Sequence, residues 1–143
     1  MTKLIVIGAS TPTIIRVIND INDSKKDKFE ILGFIDNDTK KKGDDFFGYK
    51  ILGDFEKIKQ YNKNDVCLIN TIASSTSIRK EVTNYFINLG YKFTNIIHPR
   101  VNLGNVNVGI GNLIYENVLI QPYVNIGNHC VISSNSGIAH ETL

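Results

Sequence analysis

Between Val108 and Leu143 the apolar residues return every six positions, with Val108, Ile114, Ile120, Ile126, Ile132 and Ile138 in one column. Four places on from each lies a second column, Asn112, Val118, Val124, Cys130, Ser136 and Thr142, small or β-branched except at Asn112. A period of six is neither the 3.6 of an amphipathic helix nor the 2 of a half-buried strand. It predicts a parallel β-helix, three hexads to a coil of about eighteen residues, so that each residue stacks on the one a coil further along. The repeated isoleucine points into the narrow prism, where a β-branched side chain packs well and a polar one would lose its water. The competing arrangement is a run of short β-hairpins turning at Gly109, Gly111, Gly127 and Gly137.

Ahead of this tract the pattern changes. Residues 3–8 form a continuous apolar run ending in glycine, as expected of a strand buried on both faces of a parallel sheet. Thr11 and Pro12 suit the N-cap and first turn of a helix whose buried face carries Ile14, Ile15, Val17, Ile18 and Ile21. A second strand over 29–35 closes on the turn Asp36-Asn37-Asp38, and the loop Lys40, Lys41, Lys42, Gly43 reads as solvated surface. Further strands are expected over 49–52, 65–70 and 92–97, with a short helix over 55–61. An amphipathic helix over 77–88 turns Ile78, Val82, Tyr85, Phe86 and Leu89 to the core, and Gly90 ends it. Strands alternating with helices predict a small doubly wound α/β domain over 1–97, followed by a hexapeptide-repeat domain over 98–143. Right-handed crossovers place the turns after the strands on one carboxyl edge, where open α/β sheets bind ligands.

Hydrophobic residues at 42% suffice for a globular core, while sixteen Lys and Arg against fourteen Asp and Glu leave +2. That balance argues for neither nucleic acid nor a membrane surface as partner. Cys67 and Cys130 lie in apolar runs, which points to inert buried thiols in a reducing compartment. With no long apolar run and a strand at the very start, neither a transmembrane helix nor a signal peptide is expected, and the expected location is cytoplasmic.

Candidate chemistry gathers on the carboxyl edge. Gly8-Ala9-Ser10 suits a phosphate-cradling turn or a purely structural one, because glycine admits a ligand to the backbone and a helix N-terminus follows. The later glycines of a dinucleotide fingerprint are missing, so NAD is weakly supported. Asp36, Asn37 and Asp38 could hold a ribose or a base edge, or form an Asx turn. The hydroxyl-rich 71–76 segment, with Ser74 at its middle, lies on the same edge. In the hexad tract His140 with Glu141 offers an imidazole to take a proton and a carboxylate to fix its tautomer. His129 reads as surface and His98 as a structural contact at the junction. No metal-ligand spacing is present.

A Gly-Ala-Ser turn after the first strand, Gly-Phe-Ile-Asp at 33–36, Ile-Ile-His-Pro at 96–99 and hexads leading to Ile-Ala-His-Glu at 138–141 together resemble a known group. It is that of the sugar O- or N-acyltransferases of the sialic acid O-acetyltransferase and UDP-4-amino-sugar N-acetyltransferase type, and the resemblance covers the whole chain. It implies an α/β fold: a small Rossmann-like doubly wound parallel sheet followed by the first coils of a left-handed parallel β-helix. It also implies a nucleotide-sugar substrate such as a UDP-sugar in the N-terminal domain, acetyl-CoA as donor between neighbouring β-helices of a homotrimer, no metal, and a place in surface-glycan biosynthesis. His140 is then the general base, assisted by Glu141, and direct transfer needs no acyl-enzyme.

The chain departs from the group in three places. Thr11-Pro12-Thr13 stands where Gly-His-Gly is common, and Ser133 where an asparagine is common seven residues before the histidine. The chain also stops at Leu143, leaving about two coils of the hexad tract, fewer than the roughly three repeats a solenoid needs. A fragment of a longer transferase is expected, or a short form that serves as a non-catalytic nucleotide-sugar-binding or assembly module.

Overall fold

The apolar run at the start of the chain is β1 (Thr2–Ile7) in the computed structural model, which describes residues 1–24, 28–41 and 43–139. Leu4, Ile5, Val6 and Ile7 are all fully buried. Leu4 and Val6 pack with α1 (Thr13–Ser24) on one face of the sheet. Ile5 and Ile7 pack on the other with Ile58, Leu68 and Phe86. Alternation between two covered faces is what a central strand of a doubly wound sheet requires. Helix α1 starts one residue after Pro12, whose carbonyl accepts from the Ile15 N–H, and buries Ile14, Val17, Ile18 and Ile21 at helical spacing.

Strand β2 (Phe29–Ile35) runs parallel to β1. A two-residue strand absent from the sequence reading, β3 (Asp45–Phe46), makes a hairpin with β4 (Tyr49–Gly53), which pairs in parallel with β2. The short helix expected at 55–61 is a 3₁₀ helix, Phe55–Gln60. β5 (Cys67–Asn70), α2 (Thr76–Asn88) and β6 (Lys92–Phe93) complete a six-stranded sheet of order β3-β4-β2-β1-β5-β6.

Helix α2 corrects one expectation. Phe86 is buried, and Val82, Tyr85 and Leu89 pack against the same cluster, but Ile78 is 49% exposed while Arg79 is only 8% exposed. The guanidinium takes the inward position because carbonyls of Asn70 and Ile72 there need donors.

The strand expected over 92–97 is two strands. β6 ends the α/β sheet, whereas β7 (Ile96–Ile97) opens a run of two-residue strands: β8 (Asn107–Val108), β9 (Leu113–Ile114), β10 (Leu119–Ile120), β11 (Asn125–Ile126), β12 (Val131–Ile132) and β13 (Gly137–Ile138). All their pairings are parallel: Val108 with Ile126, Ile114 with Ile132, Ile120 with Ile138, and Ile97 with Ile114. Parallel stacking at eighteen-residue spacing excludes hairpins and builds a three-faced prism. Ile114, Val118, Ile120, Val124 and Ile126 fill its interior. Positive φ recurs every six residues, at Asn105, Gly111, Asn117, Tyr123, His129 and Asn135, marking the corners.

Asn112, the exception in the second column, is fully buried and hydrogen-bonds adjacent coils. Its Oδ1 accepts from the Cys130 N–H at 2.8 Å, and its Nδ2 donates to the Gly127 carbonyl at 2.8 Å. Asn95 repeats the device one coil earlier, accepting from the Asn112 N–H and donating to Gly109.

Candidate functional site

The turn after β1 is braced from three sides. The Thr71 hydroxyl reaches the carbonyls of Ile7 at 2.8 Å and Gly8 at 3.0 Å. Gly8 has φ +91, and a Cβ there would lie 2.9 Å from Thr71 Oγ1, so both conformation and space demand glycine. From the end of β2, Asp36 Oδ2 accepts from the Ala9 N–H at 2.9 Å and Oδ1 from the Asp38 N–H at 2.8 Å. Lys41 Nζ donates to the Ala9 carbonyl at 2.9 Å and lies 3.4 Å from Asp36 Oδ2. Burial works to raise the Asp36 pKa, but the two backbone N–H groups and Lys41 outweigh it and hold it below the usual carboxylate value. Lys41 is therefore a half-buried brace and not the solvated surface expected from the basic run; Lys42 lies outside the described residues.

The six residues singled out along this edge divide. Asn37 Oδ1 accepts from the Phe55 N–H at 2.8 Å and Asp38 Oδ1 from the Lys40 N–H at 3.1 Å, so the 36–38 turn spends its side chains on local structure. Gly8 and Ala9 are buried beneath the edge. Ser10 lines a cleft of about 500 Å³, as does Ser74, the seventh residue singled out.

The α/β wall of this cleft carries Ser10, Thr11, Thr13, Thr71 and Ser74; the coil supplies Tyr115, Val131, Ser133 and Ser134. Tyr115 follows inward-facing Ile114, so the hexad turns it outward against the sheet edge. Burial raises its phenol pKa, opposed by a hydrogen bond with Thr11 and by the Arg79 charge. Among the described residues, eight hydroxyl side chains and no charged one line the cleft. Such a wall suits an uncharged, hydroxyl-rich ligand body. Sequence reading named Ser74, the 71–76 segment and, as departures from the group, Thr11-Pro12-Thr13 and Ser133, but missed Tyr115 and Ser134; the outward register of Tyr115 was the available signal.

The histidines have distinct settings. His98 is 3% exposed; its Nδ1 accepts from the Arg100 N–H at 3.2 Å, so the proton sits on Nε2, 2.9 Å from Asp20 Oδ2. Both nitrogens are engaged, which makes His98 a latch between α1 and the coil, the structural contact expected of it. His129, expected at the surface, is half-buried: its ring meets Phe93 edge-on at 4.9 Å and packs on Gly111. Burial, then the Arg79 charge, lowers its pKa. His140 and Glu141 lie outside the described residues, as does Thr142. The cysteines are free and half-buried, more open than expected. Among the described residues no group of three or more His, Cys, Asp or Glu could hold a metal, and no helix is long and apolar enough to cross a membrane.

The family described as C2185-like, N-terminal matches residues 1–97. No curated protein matches the chain. Among solved structures, the acetyltransferase domain of PglB from Neisseria gonorrhoeae FA1090 in complex with acetyl coenzyme A aligns with a TM-score of 0.78 at 20% identity, over 97% of this chain and 65% of that one. PerB from Caulobacter crescentus in complex with CoA and GDP-perosamine aligns with a TM-score of 0.78 at 19% identity, over 99% of this chain and 64% of that one. The chain thus shares their fold while spanning less than two thirds of their length.

Proposed function

This chain belongs to the C2185-like, N-terminal family over residues 1–97, and on that footing we propose that it forms the nucleotide-sugar-binding part of an acetyl-CoA-dependent sugar acetyltransferase. The observation that carries this reading is the hydroxyl-lined cleft of about 500 Å³ between sheet edge and coil. Ser10, Thr71 and Ser74 face Tyr115 and Ser133 across it, a set of short donors and acceptors suited to sugar hydroxyls. The start of α1 offers backbone N–H groups for a diphosphate, those of Gly8 and Ala9 being already engaged. Support for the acyl donor comes from the neighbours of like fold, which are in complex with acetyl coenzyme A or CoA.

His140 is proposed as general base. It takes the proton from the sugar's attacking amine or hydroxyl as that atom adds to the thioester carbonyl; the carbon–sulfur bond breaks and the thiol departs with a proton. Glu141 orients the imidazole and supports its charged form. Neither half-buried cysteine has a role in this direct transfer. A homotrimer in the cytoplasm, joined through the coil, completes the proposal; exposed Ile110, Leu119 and Tyr123 on the outside of the coil are apolar surface for such contacts.

Calorimetry with UDP- and GDP-linked amino sugars and with acetyl-CoA, alongside a thiol-release assay, tests it. Nucleotide-sugar binding that is lost in Ser74→Trp is expected. His140→Ala should cut transfer by about two to four orders of magnitude without weakening sugar binding. Binding without turnover would leave a binding module, and absence of nucleotide-sugar binding would refute the assignment of the cleft.

A further inference from the structure

Arg79 is a buried cation without a counter-ion among the described residues. Its Nε donates to the His129 carbonyl at 2.9 Å, and Nη1 to the carbonyls of Asn70 at 2.6 Å and Ile72 at 2.9 Å. All three acceptors are neutral. Nη2 is buried and has no partner, and no carboxylate is paired with the guanidinium among the described residues. Burial accordingly lowers the Arg79 pKa, opposed by Cys130 and Tyr115. A buried guanidinium with an idle N–H pair is costly unless something negative meets it.

A second cavity, of about 360 Å³, lies beside it between α2 and the coil corner at Asn128 and His129. Among the described residues no acidic side chain lines this cavity, and Lys80 adds a second positive charge. Two of the neutral side chains around it, Asn128 and Thr83, have an acceptor already occupied, while His129 Nδ1 is buried without a partner among the described residues. Asn128 Oδ1 accepts from the Ile110 N–H at 2.9 Å, leaving its amide N–H₂ as donor. Thr83 Oγ1 accepts from Asn70 Nδ2 at 3.1 Å, leaving its own proton to give. Two cations and surplus donors around a cavity without acids define the chemistry of an oxyanion.

We propose that this cavity is a phosphate site, distinct from the hydroxyl-lined cleft, in which Arg79, Lys80, Thr83 and Asn128 hold a phosphate dianion, either free or as a monoester. Two positive charges match two negative ones, and a tetrahedral anion uses the donors that α2 and the coil leave idle. Occupancy ties α2 to the coil through one ligand.

The test is titration of the full chain with inorganic phosphate and with glycerol 2-phosphate at constant ionic strength, followed by ³¹P NMR and thermal melting. Both should raise the melting temperature, and Lys80→Glu, an exposed change that leaves the fold intact, should weaken binding about tenfold or more. Ser74→Trp, which fills the other cleft, should leave phosphate binding unchanged. Tighter binding of the monoester identifies the occupant as a phosphate ester; equal binding identifies free phosphate. Failure of both ligands to bind, equal binding by Lys80→Glu, or loss of phosphate in Ser74→Trp would each overturn the site while leaving the sugar-binding assignment to its own test.

Discussion

Replacing Asn112 with alanine should destabilise the coil far more than the same change at Asn107, one strand away. Asn112 is fully buried, and its amide makes two hydrogen bonds of 2.8 Å to the next coil. Each contributes about 1 kcal/mol net, and the deserted Cys130 N–H and Gly127 carbonyl add desolvation. Both groups lie at a part-buried corner where water partly replaces the lost partner, so this addition stays below the cost for two fully buried groups, at about 1 kcal/mol together. The expected total is about 3 kcal/mol, or a fall in melting temperature of about 10 °C for a chain of this size. Asn107 makes a comparable bond of 2.9 Å to Asn125, but in solvent, so its loss should stay within about 0.5 kcal/mol. Urea unfolding of both variants against the parent measures the difference. Equal losses at the two positions would show that the buried amide ladder does not hold the coils together.

Two further outcomes follow from the geometry. The folded pKa of Asp36 lies below its unfolded value of 3.8, so its stabilisation is complete above that value and fades as pH falls through the depressed one; Asp36→Asn should flatten the acid limb of stability against pH, read from urea midpoints. Gly111 has φ +71, and a Cβ there would come within 2.2 Å of His129 Nδ1. Gly111→Ala should cost about 3 kcal/mol, and in a His129→Ala background only the backbone part, about 1–2 kcal/mol, should remain; an undiminished loss in the double variant would mean the ring is not the obstacle.

The hexad column, β1, β2 and the buried stripe of α1 were legible because each rests on a side-chain period that one element's geometry imposes by itself. A coil closes every eighteen residues whatever packs outside it, so the stacking of Val108 on Ile126 and Ile114 on Ile132 follows from the sequence alone. The corner residues were not singled out, although Asn105, Gly111, Asn117 and Asn135 are types that accept positive φ; Tyr123 and His129 at the equivalent positions break that series. Polar pairings across the fold were not legible. Nothing local distinguishes Lys41, which braces Ala9 and Asp36, from its solvated neighbour Lys40. Helical periodicity placed Ile78 inward and left Arg79 out, because a hydrophobic pattern does not register carbonyls brought to the helix from another segment.

The sequence by itself determined the two periodic architectures and their order, and the glycine at which the first strand turns. Only the tertiary structure decided which hydroxyls share a cleft, because Tyr115 and Ser133 meet Ser10 and Thr71 solely through the docking of the coil on the sheet edge. A repeat specifies which side chains point in and which point out, since that depends on neighbours along the chain. What an outward side chain meets depends on a surface distant in sequence, and that is settled by packing.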